Sequence, residues 1–307
     1  MSSMKQKKII VNPGVAIFAM VLCLSPVLHG QAARKPQKKT APAPNLLERH
    51  YRLGETLSYV MKGVNEGRHY EARARAVVKR NAEGGLYEEY TWISLKMNGA
   101  DVALRASDFH QDVSLALDYN MSIPDFGAVP MLVGPVLDLM TFYVDLQLAA
   151  RQDLARAGDH AYVEVKGANS WADGRYVLQG EDSIDFDITL EKLDAAGHTA
   201  TLLVKHVPPA QPEISLPAEW MRKPVADTPN NWMEVHKDDQ GKYVAAVGKE
   251  AFDVHIQVDL SDGKILSATM NNPVETVERT CADEALTNCG EARPHHILRQ
   301  VELTLQR

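Results

Sequence analysis

Cysteine is scarce in this chain, with three residues among 307. That excludes the small disulfide-dense scaffolds, whose thin cores need several bridges. Basic charge is also short: 33 Lys+Arg stand against 40 Asp+Glu, a formal net of −7. Nucleic-acid binders ordinarily show the opposite balance, so that class of partner is set aside. Gly (19) and Pro (16) are too few for a collagen-like repeat, and 45% hydrophobic residues are too many for a disordered chain. Catalytic signatures are missing as well. There is no GxSxG nucleophile elbow, no HExxH zinc helix, no GxxxxGK(S/T) or GxGxxG phosphate loop and no EF-hand loop. No cofactor is implied.

What is present begins at the N-terminus. Lys5, Lys7 and Lys8 precede ten apolar or small residues, Val15 to Leu24, then Pro26 and the small residues Gly30, Ala32 and Ala33. Positive, then apolar, then small is the order of a secretory signal peptide. Ten residues fall short of the ~20 a bilayer span needs, so the expectation is cleavage after Gly30 or Ala32 and no span thereafter. A short membrane anchor is the alternative. Lipidation at Cys23 would need small residues before it, and Val21 and Leu22 stand there. Residues 33–45 mix basic residues with proline and read as a disordered tether. The expected compartment is the periplasm or the exterior of a bacterium.

Removing residues 1–32 takes Cys23 with it and leaves Cys281 and Cys289, a pair in an oxidising compartment. The intervening segment is polar and carries the turn signal Thr287-Asn288, so a disulfide is expected, worth roughly 2.6 kcal/mol by chain entropy. A zinc site completed by His295 and His296 is the competing reading. It is weakened because neighbours on a strand face opposite ways.

From residue 52 onward the dominant period is two. Leu57, Tyr59 and Met61 alternate with polar neighbours, as do Tyr70, Ala72, Ala74 and Ala76. Tyr87, Thr91, Ile93, Leu95 and Met97 share a parity, with Glu89 as the exception. Val113 to Tyr119, Ile184 to Leu190, Phe252 to Val258 and Ile297 to Leu305 repeat the pattern. Such alternation marks antiparallel strands with one wet face. Gly84-Gly85, Asn98-Gly99, Ala196-Gly197, Gln240-Gly241 and Asp262-Gly263 separate the runs as hairpin turns. Ten to twelve strands are expected.

Two segments break the period. Pro135 to Ala157 is apolar except for Asp138, Thr141, Asp145 and Gln152, one narrow stripe on a helix that Gly158 would cap. A helix so apolar needs cover on several sides, which a curved sheet wrapping it would give. The region 207–231 holds six prolines within 22 residues and reads as a long crossing loop. The expected fold is therefore mainly β: a large, strongly curved antiparallel sheet or open barrel enclosing one long helix, as one domain over 46–307.

The opening strand Gly54-Glu55-Thr56-Leu57-Ser58-Tyr59 resembles a recurrent start of uncharacterised exported bacterial proteins, Gly-Glu-x-Leu-x-Tyr followed by a β-meander. The hairpin Val258 to Ile265 suits the same group. A curved sheet around a helix also resembles the periplasmic lipoprotein-localisation carriers, a resemblance that implies a hydrophobic cavity and no chemistry.

Asp185 and Asp187 share one strand face, as do His255 and Asp259, and both pairs read as wet-face residues rather than acid-base or metal sites. The apolar candidates are Met140 and Tyr143 on the helix and Trp220, Met221 and Trp232 on or beside the proline-rich loop. Met and aromatic side chains line adaptable sites for greasy ligands, and they also fill cores. The leading expectation is an exported non-enzymatic protein that binds or carries a lipid, another hydrophobic ligand or an envelope component, with helix and loop as lid or plug. An exported hydrolase of envelope polymer and an envelope scaffold protein are the rivals.

Overall fold

A computed structural model describes residues 46–65, 67–104, 110–122, 130–166, 170–172, 176–208 and 210–306. The expected signal segment 1–32 and tether 33–45 lie outside them. The strands are β1 (Thr56–Asn65), β2 (Arg68–Arg80), β3 (Leu86–Met97), β4 (Ala100–Val102), β5 (His110–Ser114), β6 (His160–Lys166), β7 (Ser170–Ala172) and β8 (Tyr176–Gly180). They continue with β9 (Ser183–Asp194), β10 (Thr199–Val207), β11 (Trp232–Lys237), β12 (Tyr243–Glu250), β13 (Asp253–Asp259), β14 (Ile265–Cys281) and β15 (Arg293–Gln306). Among the described residues there is one α-helix, α1 (Val133–Ala150), between β5 and β6.

The fifteen strands among the described residues belong to one antiparallel sheet that is not closed. Each turn read from sequence joins the strands it was expected to join. Asn98 (φ 49°) and Gly99 (φ 81°) both take the left-handed conformation that a two-residue hairpin requires.

The sheet branches at β14. The order β4-β3-β2-β1-β15-β14 is common to both arms. The first part of β14 pairs β13, followed by β10, β9 and β6, and the second part pairs β12, followed by β11, β8 and β7. The first arm and the trunk wrap α1 and form the large core, including Tyr59, Trp92, Phe142, Phe186, Ile256 and Leu303. The second arm packs a smaller core with the proline-rich loop and the disulfide segment: Ala218, Met221, Met233, Ala245, Val247, Cys281 and Leu286.

Three expectations need correction. The described residues form fifteen strands rather than ten to twelve. On β3 the buried residues are Glu88, Tyr90 and Trp92, then Leu95, while Ile93 is exposed. A register shift opposite Arg73/Ala74 makes Ile93 the extra residue of a β-bulge, which reverses the parity along the strand. The helix ends at Ala150 rather than Ala157, with Arg151 as its C-cap. Gly158 (φ +93°) instead shapes the turn into β6, where its N–H donates to the Leu190 carbonyl at 2.8 Å.

Candidate functional site

The sequence pattern makes α1 apolar on nearly every side, and 15 of its 18 residues are buried. It passes the length and composition test for a membrane span, with a mean hydropathy of 1.2, as core helices also do. The polar stripe is not a wet face, because both Asp138 and Asp145 are 1% exposed.

Asp138 has partners from the sheet. The Tyr70 hydroxyl donates to its Oδ2 at 2.5 Å, and the Arg299 guanidinium pairs with Oδ1. Tyr70 can reach the helix because its ring lies across Gly63, its cross-strand neighbour on β1. A Cβ on Gly63 would stand 2.0 Å from that ring. Burial pulls the Arg299 guanidinium down to about 10, with Tyr70 opposing, so it stays cationic at neutral pH. Asp145, two turns further along, finds no hydrogen bond for Oδ2, and burial pushes its carboxyl far above the usual range.

The trio of Asp138, Tyr70 and Arg299 floors a small cleft. Arg68 and His69 stand on its hairpin side, Met97 and Met131 line it, and the first helical turn, Gly134 and Pro135, forms a wall. Its open volume is about 30 Å³, room for roughly two waters.

Farther along α1 a second polar cluster is sealed completely. Arg49 Nη1 donates to Glu88 Oε2 at 2.6 Å, and the guanidinium also donates to the Ser114 carbonyl. The Tyr90 and Tyr143 hydroxyls each stand 3.1 Å from Glu88 Oε1. Arg49 lies 4.6 Å over the Tyr143 ring. Burial raises the Glu88 carboxyl, with Arg49 and the two phenols pulling it back.

A third cluster occupies the branch of the sheet, where the chain crosses between arms. His206 Nε2 stands 3.6 Å from Glu181 Oε2, both side chains being 1% exposed. His206 also stacks on Phe252, at 5.0 Å between ring centroids. Nearby, Asn231 exchanges hydrogen bonds with the Glu250 backbone at 2.9 Å in each direction. Burial raises the Glu250 carboxyl to about 7, with His206 and Asn272 opposing and Glu181 adding to the shift.

The five apolar candidates do not converge on one space. Met140 and Tyr143 belong to the large core, and Tyr143 is hydrogen-bonded there rather than open to a ligand. Trp220 and Met221 belong to the small core. Trp220 Nε1 donates to the Leu286 carbonyl at 3.0 Å, and Arg279 lies 5.3 Å over its ring. Trp232 is buried on β11 against Gly248, where a Cβ would stand 2.5 Å from its ring. The proline-rich loop thus covers the small core instead of lidding α1. Cys281 and Cys289 form a disulfide, so their sulfurs are not zinc ligands. His296 pairs with Glu275 at 2.5 Å, and His255 with Glu191 at 3.2 Å. Among the described residues no group of three or more His, Cys, Asp or Glu side chains is placed to hold a metal.

Sequence reasoning passed over Arg299, Glu88 and His206. Two of them carried a readable signal: a charged residue in the apolar parity of its strand, Arg299 between Ile297 and Val301, and His206 after Leu202 and Val204. Glu88 was hidden by the bulge.

No family model matches this chain, and no curated protein does. Among solved structures, chicken CD1-2 with bound fatty acid is returned at 11% identity, covering 75% of this chain and 67% of that one, with a TM-score of 0.11. So low a score carries no inference about this chain.

Proposed function

We propose that the protein is an exported, non-enzymatic carrier of a hydrophobic molecule, a lipid or an apolar envelope component, and that α1 is a plug that yields its place to the ligand. The observation that carries this reading is α1 itself. It is apolar on nearly all sides, it fills the concave face of an unclosed sheet, and it holds a buried carboxyl, Asp145, with an unbonded oxygen. If α1 leaves, both it and the face it vacates need a new apolar contact, and a lipidic ligand supplies one. The described cleft of about 30 Å³ is too small for an acyl chain while the helix is seated, and on this reading uptake displaces the helix. The N-terminal pattern supports export, and the resemblance to lipoprotein-localisation carriers supports the same architecture.

Displacement of a fluorescent fatty acid, read beside native mass spectrometry of the mature chain, tests the proposal. The expected result is saturable uptake with a one-to-one lipid adduct. No adduct from any apolar probe at saturating concentration would overturn it.

A hydrolase reading draws on one observation, the meeting of Glu181, His206 and Glu250. All three are buried, which denies substrate access. It predicts turnover of envelope polymer that Glu250→Gln abolishes, and the carrier reading predicts none.

A further inference from the structure

We infer that the branch of the sheet is a proton-operated joint. With the Glu250 carboxyl protonated the two arms are locked together, and loss of that proton to solvent lets them part. The joint stands apart from the carrier reading and needs no ligand.

Position is the first argument. Three chain crossings between the arms each carry one titratable residue of the buried cluster. Glu181 lies between β8 of the second arm and β9 of the first. His206 is the penultimate residue of β10, where the first arm gives way to the proline-rich loop and β11. Glu250 ends β12 of the second arm, and β13 of the first starts at Asp253. On β14 the last second-arm pair is Val274 with Glu250, and the last first-arm pair is Asn271 with Asp253. Asn272 and Pro273 stand between these pairs, and Asn272 Nδ2 donates to the Ala251 carbonyl at 3.0 Å. The His206 N–H donates to the Phe252 carbonyl at 2.9 Å, which ties one crossing to another. The side chains therefore sit where any change of angle between the arms has to occur.

Charge in a sealed space supplies the second argument. Glu250 is 6% exposed, and the imidazole it faces, His206, already meets Glu181 at 3.6 Å. Ionising Glu250 therefore adds a second carboxylate around one imidazole, in a space walled by the rings of Phe252 and Phe186. Such a charge is costly without water or a cation of its own. The other charged groups around the branch are engaged or turned outward. Arg299, cross-strand from Asn272, pairs with Asp138. Glu234 and His236, on the Glu250 face of the second arm, pair with each other at 3.2 Å. Lys249 pairs with Asp227 at 2.9 Å, and Asp182, Lys205 and Asp253 are exposed. The walls of the space are the crossings themselves, so admitting water to an ionised Glu250 spreads them. Burial holds this carboxyl at about 7, and a raised carboxyl favours the closed state when protonated. The lock is complete at low pH and is lost as pH rises through about 7.

The test places spin labels at the tips of the two arms in the mature chain, Ala196→Cys in the β9–β10 turn and Gln240→Cys in the β11–β12 turn, both exposed positions. Pulsed electron resonance then reads the distance between them against pH. The expected result is a longer distance at about pH 9 than at about pH 5, with its midpoint near 7. Glu250→Gln keeps an uncharged side chain of the same shape and is expected to hold the short distance throughout. Glu181→Gln removes the second carboxylate and is expected to move the midpoint down. A wild-type distance that does not change with pH would overturn the joint, and so would an equal change in Glu250→Gln. Loss of amide protection in β1–β3 over the same range would also overturn it, because the whole sheet would then be unfolding. None of these outcomes bears on lipid uptake, so the joint and the carrier reading fail separately.

Discussion

The concave face around α1 and the smaller face under the proline-rich loop meet at β14, and they are covered by different means. The loop is pinned by short-range bonds. Asn230 Nδ2 donates to the Met221 and Lys223 carbonyls at 2.7 and 2.8 Å, Asn230 Oδ1 accepts from the Val225 N–H at 3.0 Å, and the disulfide closes the neighbouring turn. The helix is held by apolar packing and by buried ionic groups that come from far along the chain. Arg299 lies 161 residues from Asp138, and Glu88 lies 55 from Tyr143. The proline-rich loop is the cover bonded locally, and α1 is the element that the proposed carrier function requires to move. Moving α1 would break its buried apolar contacts and ion pairs together, so on the carrier reading the ligand has to replace them.

The largest expected effect comes from breaking the helix side at its sealed cluster. Arg49→Met leaves Glu88 buried without its cation and should cost about 3–5 kcal/mol in urea unfolding. Adding Glu88→Leu in the same chain should recover most of that loss. A single-mutant cost below about 1 kcal/mol would mean that the cluster does not anchor α1.

The branch between the two faces should respond to pH. A carboxyl held above its ordinary value binds its proton more tightly in the folded state. Its contribution is full below about pH 4.5 and is lost as pH rises through about 7. Relative to Glu250→Gln, the wild type should lose on the order of 3 kcal/mol between those limits. Parallel stability curves for the two proteins would contradict the placement of Glu250.

On the loop side, Cys281→Ser with Cys289→Ser should cost about 2–3 kcal/mol and leave lipid uptake unchanged. Loss of uptake in this variant would move the mobile element to the loop. The smallest effect is a gain. Asp145→Leu removes a buried carboxyl with an unbonded oxygen and should stabilise the fold by about 1–2 kcal/mol. The same change should slow fatty-acid uptake by seating α1 more firmly. Unchanged uptake kinetics would detach the plug from ligand entry.

Much of this architecture was legible in the sequence. Period-two runs and glycine turns located the hairpins, because each rests on local backbone geometry. The disulfide followed from an even pair around a polar turn. Three things were not legible. The β-bulge at Ile93 reversed a parity that periodicity alone carried straight through. The branch at Asn272-Pro273 depends on which strands choose the two parts of β14, and both parts alternate alike. The buried partners of Asp138 on the α1 stripe, Tyr70 and Arg299, sit on distant strands and leave no local mark. The site suffered most, since Met and Trp content indicates burial without saying in which core.

The most direct test of the account is hydrogen exchange of the α1 amides, 133–150, with and without bound palmitate, read against β11 and β12 as an internal reference. The account predicts that lipid lowers protection across α1 by at least about tenfold while the β11–β12 amides stay unchanged. Bound lipid with α1 as protected as before would contradict it.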